Sequence, residues 1–230
     1  MQLIAARASV TGPAHLAANH PNQDATMLSG LNGGYCVAVC DGLGSRKLSH
    51  EGSLLATRLV RSVLTNRDSR DTYLACQSIQ KKWLKSFSGP HREYETTCLW
   101  AVVDKDGHAS AAQVGDGLLL IKSQGKFLVM TPEEPGFGNQ THTLAEGSNE
   151  LWTTANFALT EPGDGVLLMS DGISDDLVSE QLEDFFDAIY YQRKRTNKRR
   201  CKQWLTHELI NWSTPMHGDD KSIAAIFRVK

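Results

Sequence analysis

No stretch of the 230-residue sequence approaches the length of a membrane span. Met1 to Thr11 also lacks the apolar core and small-residue cleavage site of a secretory signal, so the cytoplasm is the expected compartment. Neither sign of charge is in excess: 24 Lys and Arg stand against 26 Asp and Glu, a formal net charge of -2. No global field therefore drives the chain onto nucleic acid or an anionic membrane, and neither is an expected partner. Cysteine is scarce and odd in number. Cys36, Cys40, Cys76, Cys98 and Cys201 include no CxxC pair, which argues against disulfides or structural zinc and fits reduced core thiols. The eight histidines are scattered, and no pair has zinc-protease spacing. A G-x-S-x-G elbow, a cysteine in a phosphate-cradling loop, internal repeats and a linker are all missing. With 40% hydrophobic residues, the chain reads as one domain over residues 1–230 and is expected to be a monomer.

What is present is apolar runs that stop at turn residues. Tyr35 to Cys40 reads as a buried strand ending at Asp41-Gly42. Leu48, Leu55, Leu59 and Val63 recur at helical spacing, and so do Cys76, Ile79, Trp83 and Phe87. Four strand-like runs follow, Thr97–Val103, His108–Val114, Leu118–Lys122 and Lys126–Met130. The turn signals between them predict consecutive antiparallel hairpins, a meander. Val166 to Ser170 is a further strand ending at Asp171-Gly172. Two amphipathic helices follow, carrying Leu182, Phe185, Phe186 and Ile189, then Trp204, Leu205, Leu209 and Trp212, before a last strand, Ser222–Val229.

Strands and helix pairs in blocks predict an α+β layered domain. Residues 131–165 are rich in Gly, Pro, Asn, Thr and Glu and read as a flap, with Trp152, Phe137 and Phe157 as its anchors. Trp83, Trp100, Trp204 and Trp212 read as core. The seven basic residues of Arg193 to Lys202 read as a solvated helix end, since no aromatic residue interleaves within the run.

Four aspartates stand next to glycine where apolar strands end or begin: Asp41 (VCDGLG), Asp116 (QVGDG), Asp171 (MSDGIS) and Asp219 (HGDDKS). Any one alone is an ordinary turn. Several carboxylates fixed at strand ends and brought together would repel unless a cation neutralised them. Oxygen-only ligands suit Mg²⁺, Mn²⁺ or Ca²⁺ rather than zinc or copper, and Mg²⁺ or Mn²⁺ is the inferred cofactor.

The ordered set Asn22-Gln23-Asp24, Val39-Cys40-Asp41-Gly42-Leu43-Gly44, Glu95-Thr96-Thr97-Cys98, Val114-Gly115-Asp116, Ser170-Asp171-Gly172 and Asp219-Asp220-Lys221-Ser222 resembles the metal-dependent protein phosphatases of the 2C type, in particular their short bacterial members. The resemblance implies an α-β-β-α sandwich, a central antiparallel β-sandwich flanked by helix pairs. It implies hydrolysis of phosphoserine or phosphothreonine by a metal-activated water, without a protein nucleophile. Asp41 then bridges two metals, Asp171 and Asp219 complete one ion's shell, and the Gly42 carbonyl serves the other. Asp24 is an acid that holds water behind the ligands, and Asp116 is a ligand of a third ion. The expected partner is a phosphoprotein, a cognate Ser/Thr kinase or that kinase's target.

Several positions depart from the family pattern. Many members carry a phosphate-gripping arginine where Asn19 stands, which makes His20, Arg46 and Lys47 substitute candidates by sequence proximity. Leu43 occupies the position of a histidine in animal members, Gln23 that of a glutamate, and Glu95 that of a glycine. Two other readings compete with hydrolysis of phosphoproteins: a phosphoprotein-binding regulatory module on the same fold, and a calcium-binding or small-phosphoester hydrolase on the same acidic cluster.

Overall fold

Tyr35–Cys40 is apolar at consecutive positions because both faces of the strand it forms are covered. The computed structural model describes residues 1–65, 71–131, 141–212 and 218–230. In it, Cys36, Ala38 and Cys40 enter a core under two helices, while Val37 and Val39 enter the space between two sheets. In chain order the strands are β1 (Leu3–Val10), β2 (Ala25–Gly30), β3 (Tyr35–Cys40), β4 (Cys98–Val103), β5 (His108–Val114), β6 (Leu118–Ser123), β7 (Lys126–Val129), β8 (Thr153–Ala158), β9 (Gly165–Met169) and β10 (Lys221–Arg228). The helices are α1 (Pro13–Ala18), α2 (Ser49–Thr65), α3 (Thr72–Lys85), α4 (Asp171–Ser174), α5 (Leu182–Arg195) and α6 (Lys198–Ile210).

Two five-stranded antiparallel sheets result, ordered β1-β10-β9-β6-β7 and β2-β3-β4-β5-β8. Their inner faces meet through Leu99, Leu119, Val166, Leu168 and Ile226. The second sheet buries its outer face, including Trp100, under α2 and α3 with Trp83. The first sheet buries Leu167, Met169 and Phe227 under α5 and α6 with Phe186 and Leu205. This is the expected α-β-β-α sandwich. All five cysteines are buried and none forms a disulfide, and burial pushes the thiols of Cys76, Cys98 and Cys201 up, away from the reactive thiolate.

The four runs between Thr97 and Met130 are strands, but they do not form one meander. β4 pairs with β5 and β6 with β7, yet β6 joins β9 in the other sheet. Gly115-Asp116-Gly117 is therefore a crossing between sheets, a distinction its turn chemistry does not reveal. Gly115 makes the crossing possible: its φ is +104°, and a Cβ there would lie 2.5 Å from Thr97 Cγ2.

Part of the stretch 131–165, including Phe137, lies outside the described residues. The described part is not all loop. It contains β8, hydrogen-bonded to β5, together with the buried Trp152. Thr143 and Glu146 form a capping box there on a single 3-10 turn, Leu144–Glu146. Among the described residues, no helix is long and apolar enough to cross a membrane.

Candidate metal centre

Antiparallel pairing brings the ends of distant strands together. Ala25 lies opposite Cys40, Ile223 opposite Met169, Val10 opposite Lys221 and Cys98 opposite Val114. Asp24 precedes β2, Asp41 follows β3, Asp116 follows β5, Asp171 follows β9 and Asp219 precedes β10, so all five collect at one end of the sandwich. Asp41, Asp116, Asp171 and Asp219 line a single cleft of about 180 Å³ with Thr97 and Thr141.

Asp41 and Asp171 in this cleft hold their protons more tightly than isolated carboxyls do. Burial pushes the Asp41 carboxyl well above the usual range, reinforced by the charges of Asp24 and Asp171. Burial likewise raises Asp171, with Asp116 and Asp219 adding repulsion. Asp24 does not line the cleft. It lies buried behind it, accepts a 2.8 Å hydrogen bond from Ser170 Oγ, and is raised to about 7 by burial and by the neighbouring Asp220, against hydrogen bonds that lower it. Asp171 Oδ1 is buried with no hydrogen-bond partner. An all-oxygen set with mutual repulsion and an orphaned carboxylate oxygen fits hard divalent cations.

The frame around these acids is built from neutral donors. Thr96 Oγ1 donates to the Asp41 carbonyl at 2.8 Å, as does the Thr97 amide at 2.8 Å. In turn, the Asp41 amide donates to Thr97 Oγ1 at 3.0 Å. The threonine pair thus fixes the backbone of Asp41 and frees its side chain for the cleft. Asp220, 1% exposed, plays the matching part for Asp219. It accepts from the amides of Gly12 at 2.7 Å and Gln23 at 2.5 Å and lies 2.9 Å from His15 Nδ1, tying the start of β10 to the segment between β1 and β2. Gly172 lets α4 close against this corner, since a Cβ there would come within 1.9 Å of the Asp220 carbonyl oxygen.

The structure does not bring every anticipated residue to the cleft. Asn19 is exposed and caps α1 in the left-handed conformation, φ 55° and ψ 37°, a position that suits Asn, and it does not line the cleft. Exposed His20 does not line it either, and its ring lies 6.1 Å from that of His15. Arg46 belongs to an adjoining cleft, where its Nε meets Glu95 Oε2 at 2.5 Å. Gly42 is buried beside Asp41, its amide donating to the Gln23 carbonyl at 3.2 Å. Sequence reasoning missed Asp220, His15 and Thr141, whose hydroxyl donates to Asp116. Ligand atoms of His15, Asp219 and Asp220 lie within 4.8 Å of one another. Asp220 was legible only as the second acid of a DD pair, and its isolation from solvent is a tertiary property.

The sequence profile described as "Protein phosphatase 2C" matches residues 11–210. The chain belongs to the protein phosphatase 2C family. Its fold is similar to that of the catalytic domain of the serine/threonine protein phosphatase PstP in complex with two manganese ions (18% identity, 99% of each chain covered, TM-score 0.67). It also resembles RsbX in complex with magnesium (16% identity, 98% of this chain and 94% of that one, TM-score 0.64). A third similar fold is that of PppA, described as a key regulatory component of T6SS in Pseudomonas aeruginosa (17% identity, 99% of this chain and 98% of that one covered, TM-score 0.68). No curated protein matches the chain.

Proposed function

We propose that this 2C-family chain hydrolyses phosphoserine and phosphothreonine in proteins, using divalent ions held by Asp41, Asp116, Asp171 and Asp219. The observation that carries this reading is the gathering of four aspartates from strand ends of both sheets into one cleft, with a buried Asp171 oxygen left unpartnered. When bound, such ions supply an acidified water and positive charge against the phosphate. The chain's own part is to place and hold. Asp41, whose backbone is clasped by Thr96 and Thr97, would share the ions with Asp171 and Asp219. Asp220 sets the corner from which Asp219 extends, and Thr141 orients Asp116. Asp24, buried behind the cleft and bonded by Ser170 Oγ at 2.8 Å, backs the wall on which Asp41 stands.

The test is turnover of a phosphoserine peptide and of a small aryl phosphate with Mn²⁺, Mg²⁺ or Ca²⁺. The expected result is peptide hydrolysis with Mn²⁺ or Mg²⁺ that stops on adding excess chelator. Full turnover in excess chelator would refute the reading. Turnover of aryl phosphate alone would favour a small-phosphoester hydrolase. A second reading, a regulatory module that binds phosphoproteins without turning them over, is favoured by one observation: Asn19, where relatives grip phosphate, lies off the cleft wall. Peptide binding with no turnover under any of the three ions would support it.

A further inference from the structure

The metal cleft adjoins a larger one of about 690 Å³, and Leu43 and Thr141 line both. Two bases and two acids, Arg46, Arg92, Glu95 and Glu146, line the outer cleft. These charges do not cancel in what they offer a ligand, because the acids are already engaged. Glu95 takes Arg46 Nε at 2.5 Å and is only 12% exposed. Glu146 Oε1 accepts the Thr143 amide at 2.9 Å, and its Oε2 lies 3.0 Å from His142 Nδ1.

The bases keep their capacity. A guanidinium carries five N–H donors, and the bond to Glu95 uses one of Arg46's. Arg92, exposed on the 3-10 turn His91–Tyr94, has no ion-pair partner among the described residues. The Arg46 backbone is also held in place, since its amide donates to the Leu43 carbonyl at 2.9 Å and the Leu43 amide donates to the Glu95 carbonyl at 3.0 Å. The loop carrying Asp41 and the segment carrying Glu95 thus form one unit on which both clefts are built.

A phosphorylated side chain seated at the aspartates leaves its peptide to run past Leu43 and Thr141, at roughly 3.3–3.6 Å per extended residue. The outer cleft, at about 690 Å³, lies within the size range of ligand-binding clefts. We propose that the outer cleft receives the substrate segment beside the phosphorylated residue and selects an acidic side chain there, read by Arg92 and by the guanidinium of Arg46. This rests on the phosphatase reading above. Carboxylates pair well with a guanidinium fork, whereas a lysine in the same place would meet two like charges.

The experiment compares kcat/KM on phosphoserine peptides that differ only in Asp or Lys at each position within about three residues of the phosphoserine. Wild-type protein and Arg92→Glu are assayed with Mn²⁺, alongside wild-type turnover of a small aryl phosphate. Wild type is expected to favour Asp over Lys by about 3–10-fold at one or two positions, a range set by solvent-exposed charge pairs. Arg92→Glu is expected to invert that ratio, and Arg46→Gln to flatten it in a correctly folded protein. A wild-type ratio within about twofold at every position, or a ratio that Arg92→Glu leaves unchanged, overturns the inference while aryl phosphate turnover leaves the phosphatase reading standing. Absence of turnover on both substrates overturns that reading, and the inference falls with it.

Discussion

Replacing Asp41 with Asn separates a metal-holding aspartate from a turn aspartate, because the two roles predict opposite outcomes in different assays. Asn keeps the size of the side chain and is at least as good in a turn followed by glycine, so a turn role predicts near silence. In the cleft, however, Asp41 faces the charges of Asp24, Asp171 and Asp219, and burial already holds its proton well above the usual carboxyl range. In metal-free buffer near pH 8 the amide removes that repulsion and can donate to Asp171 as the protonated acid does. Stability should therefore rise by about 1–3 kcal/mol, of the order by which replacing buried ionic groups with uncharged ones stabilises other proteins. At about 2–4 °C per kcal/mol for a domain of this size, the melting temperature should climb by roughly 2–12 °C. With metal the order reverses. Wild type at 100 times the dissociation constant of one ion gains about 2.7 kcal/mol, and the variant loses most of this gain with its ligand. Phosphopeptide kcat/KM should fall by at least about 10³, equivalent to about 4 kcal/mol of barrier. Melting curves with and without Mn²⁺, metal calorimetry and turnover measure all three effects. A folded variant that keeps turnover within tenfold and the full metal-induced rise in melting temperature would refute the assignment of Asp41.

Other outcomes follow from single observations. Asp164 is buried at 1% exposure and accepts amides from Gln124, Gly125, Thr160 and Glu161. Asp164→Ala should therefore cost about 2–4 kcal/mol in a urea melt, with kcat on a phosphopeptide little changed. Asn19→Arg places an unsuited side chain in left-handed backbone off the cleft wall. It should lower stability by about 1 kcal/mol and leave KM within about twofold, whereas a clear drop in KM would show that the loop reaches the phosphate. The first turn of α6 carries Lys198, Arg199 and Arg200 and no acid, so Arg199→Glu should raise the melting temperature by about 1–4 °C through the helix dipole. Asp24 titrates at about 7 in the metal-free fold and at 3.8 ordinarily. The stability it contributes is full below about pH 4 and is lost as pH rises through about 7, so the chelated protein should melt lower at pH 8 than at pH 5, and Asp24→Asn should flatten that slope.

Much of the sandwich was legible because its central strands are covered on both sides. Tyr35–Cys40 and His108–Val114 have the boundaries their apolar runs suggested, and α2, α3, α5 and α6 appear where the helical spacing placed them. The first 34 residues were harder to read. β1 (LIAARASV) and β2 (ATMLSG) mix small and polar residues because both are edge strands, and β1 fills its share of the cores with the buried alanines Ala5, Ala6 and Ala8. β8 was hidden in the same way: it is an edge strand of alternating exposure (TTANFA) within a stretch whose composition reads as loop. Edge strands satisfy half their backbone by pairing and need few large apolar residues, so periodicity underreports them.

The candidate site shows what a local motif can and cannot convey. Asp171-Gly172 and Asp164-Gly165 are the same dipeptide, seven residues apart, on either side of β9. Asp171 comes after the strand and reaches a cleft where its Oδ1 finds no hydrogen-bond donor. Asp164 comes before the strand, at the other end of the sandwich, and its oxygens are saturated by four amides. Chemistry thus depends on which end of the strand the acid occupies and on whether the backbone there has spare donors. The first is readable from the order of apolar run and turn. The second is not, because the amides around Asp164 come from residues as far away as Gln124, brought in by the β6–β7 turn, which no spacing rule anticipates. Asp219 and Asp220 differ in degree: Asp219 lines the cleft while its Oδ1 accepts the Asp220 amide at 2.7 Å, whereas both oxygens of Asp220 are taken, by the amides of Gly12 and Gln23. An acid is available to a cation where the fold leaves at least one of its oxygens without an amide donor. That is why the four cleft aspartates could be picked out as candidates from their turns, while the acid that holds one of them in place could not.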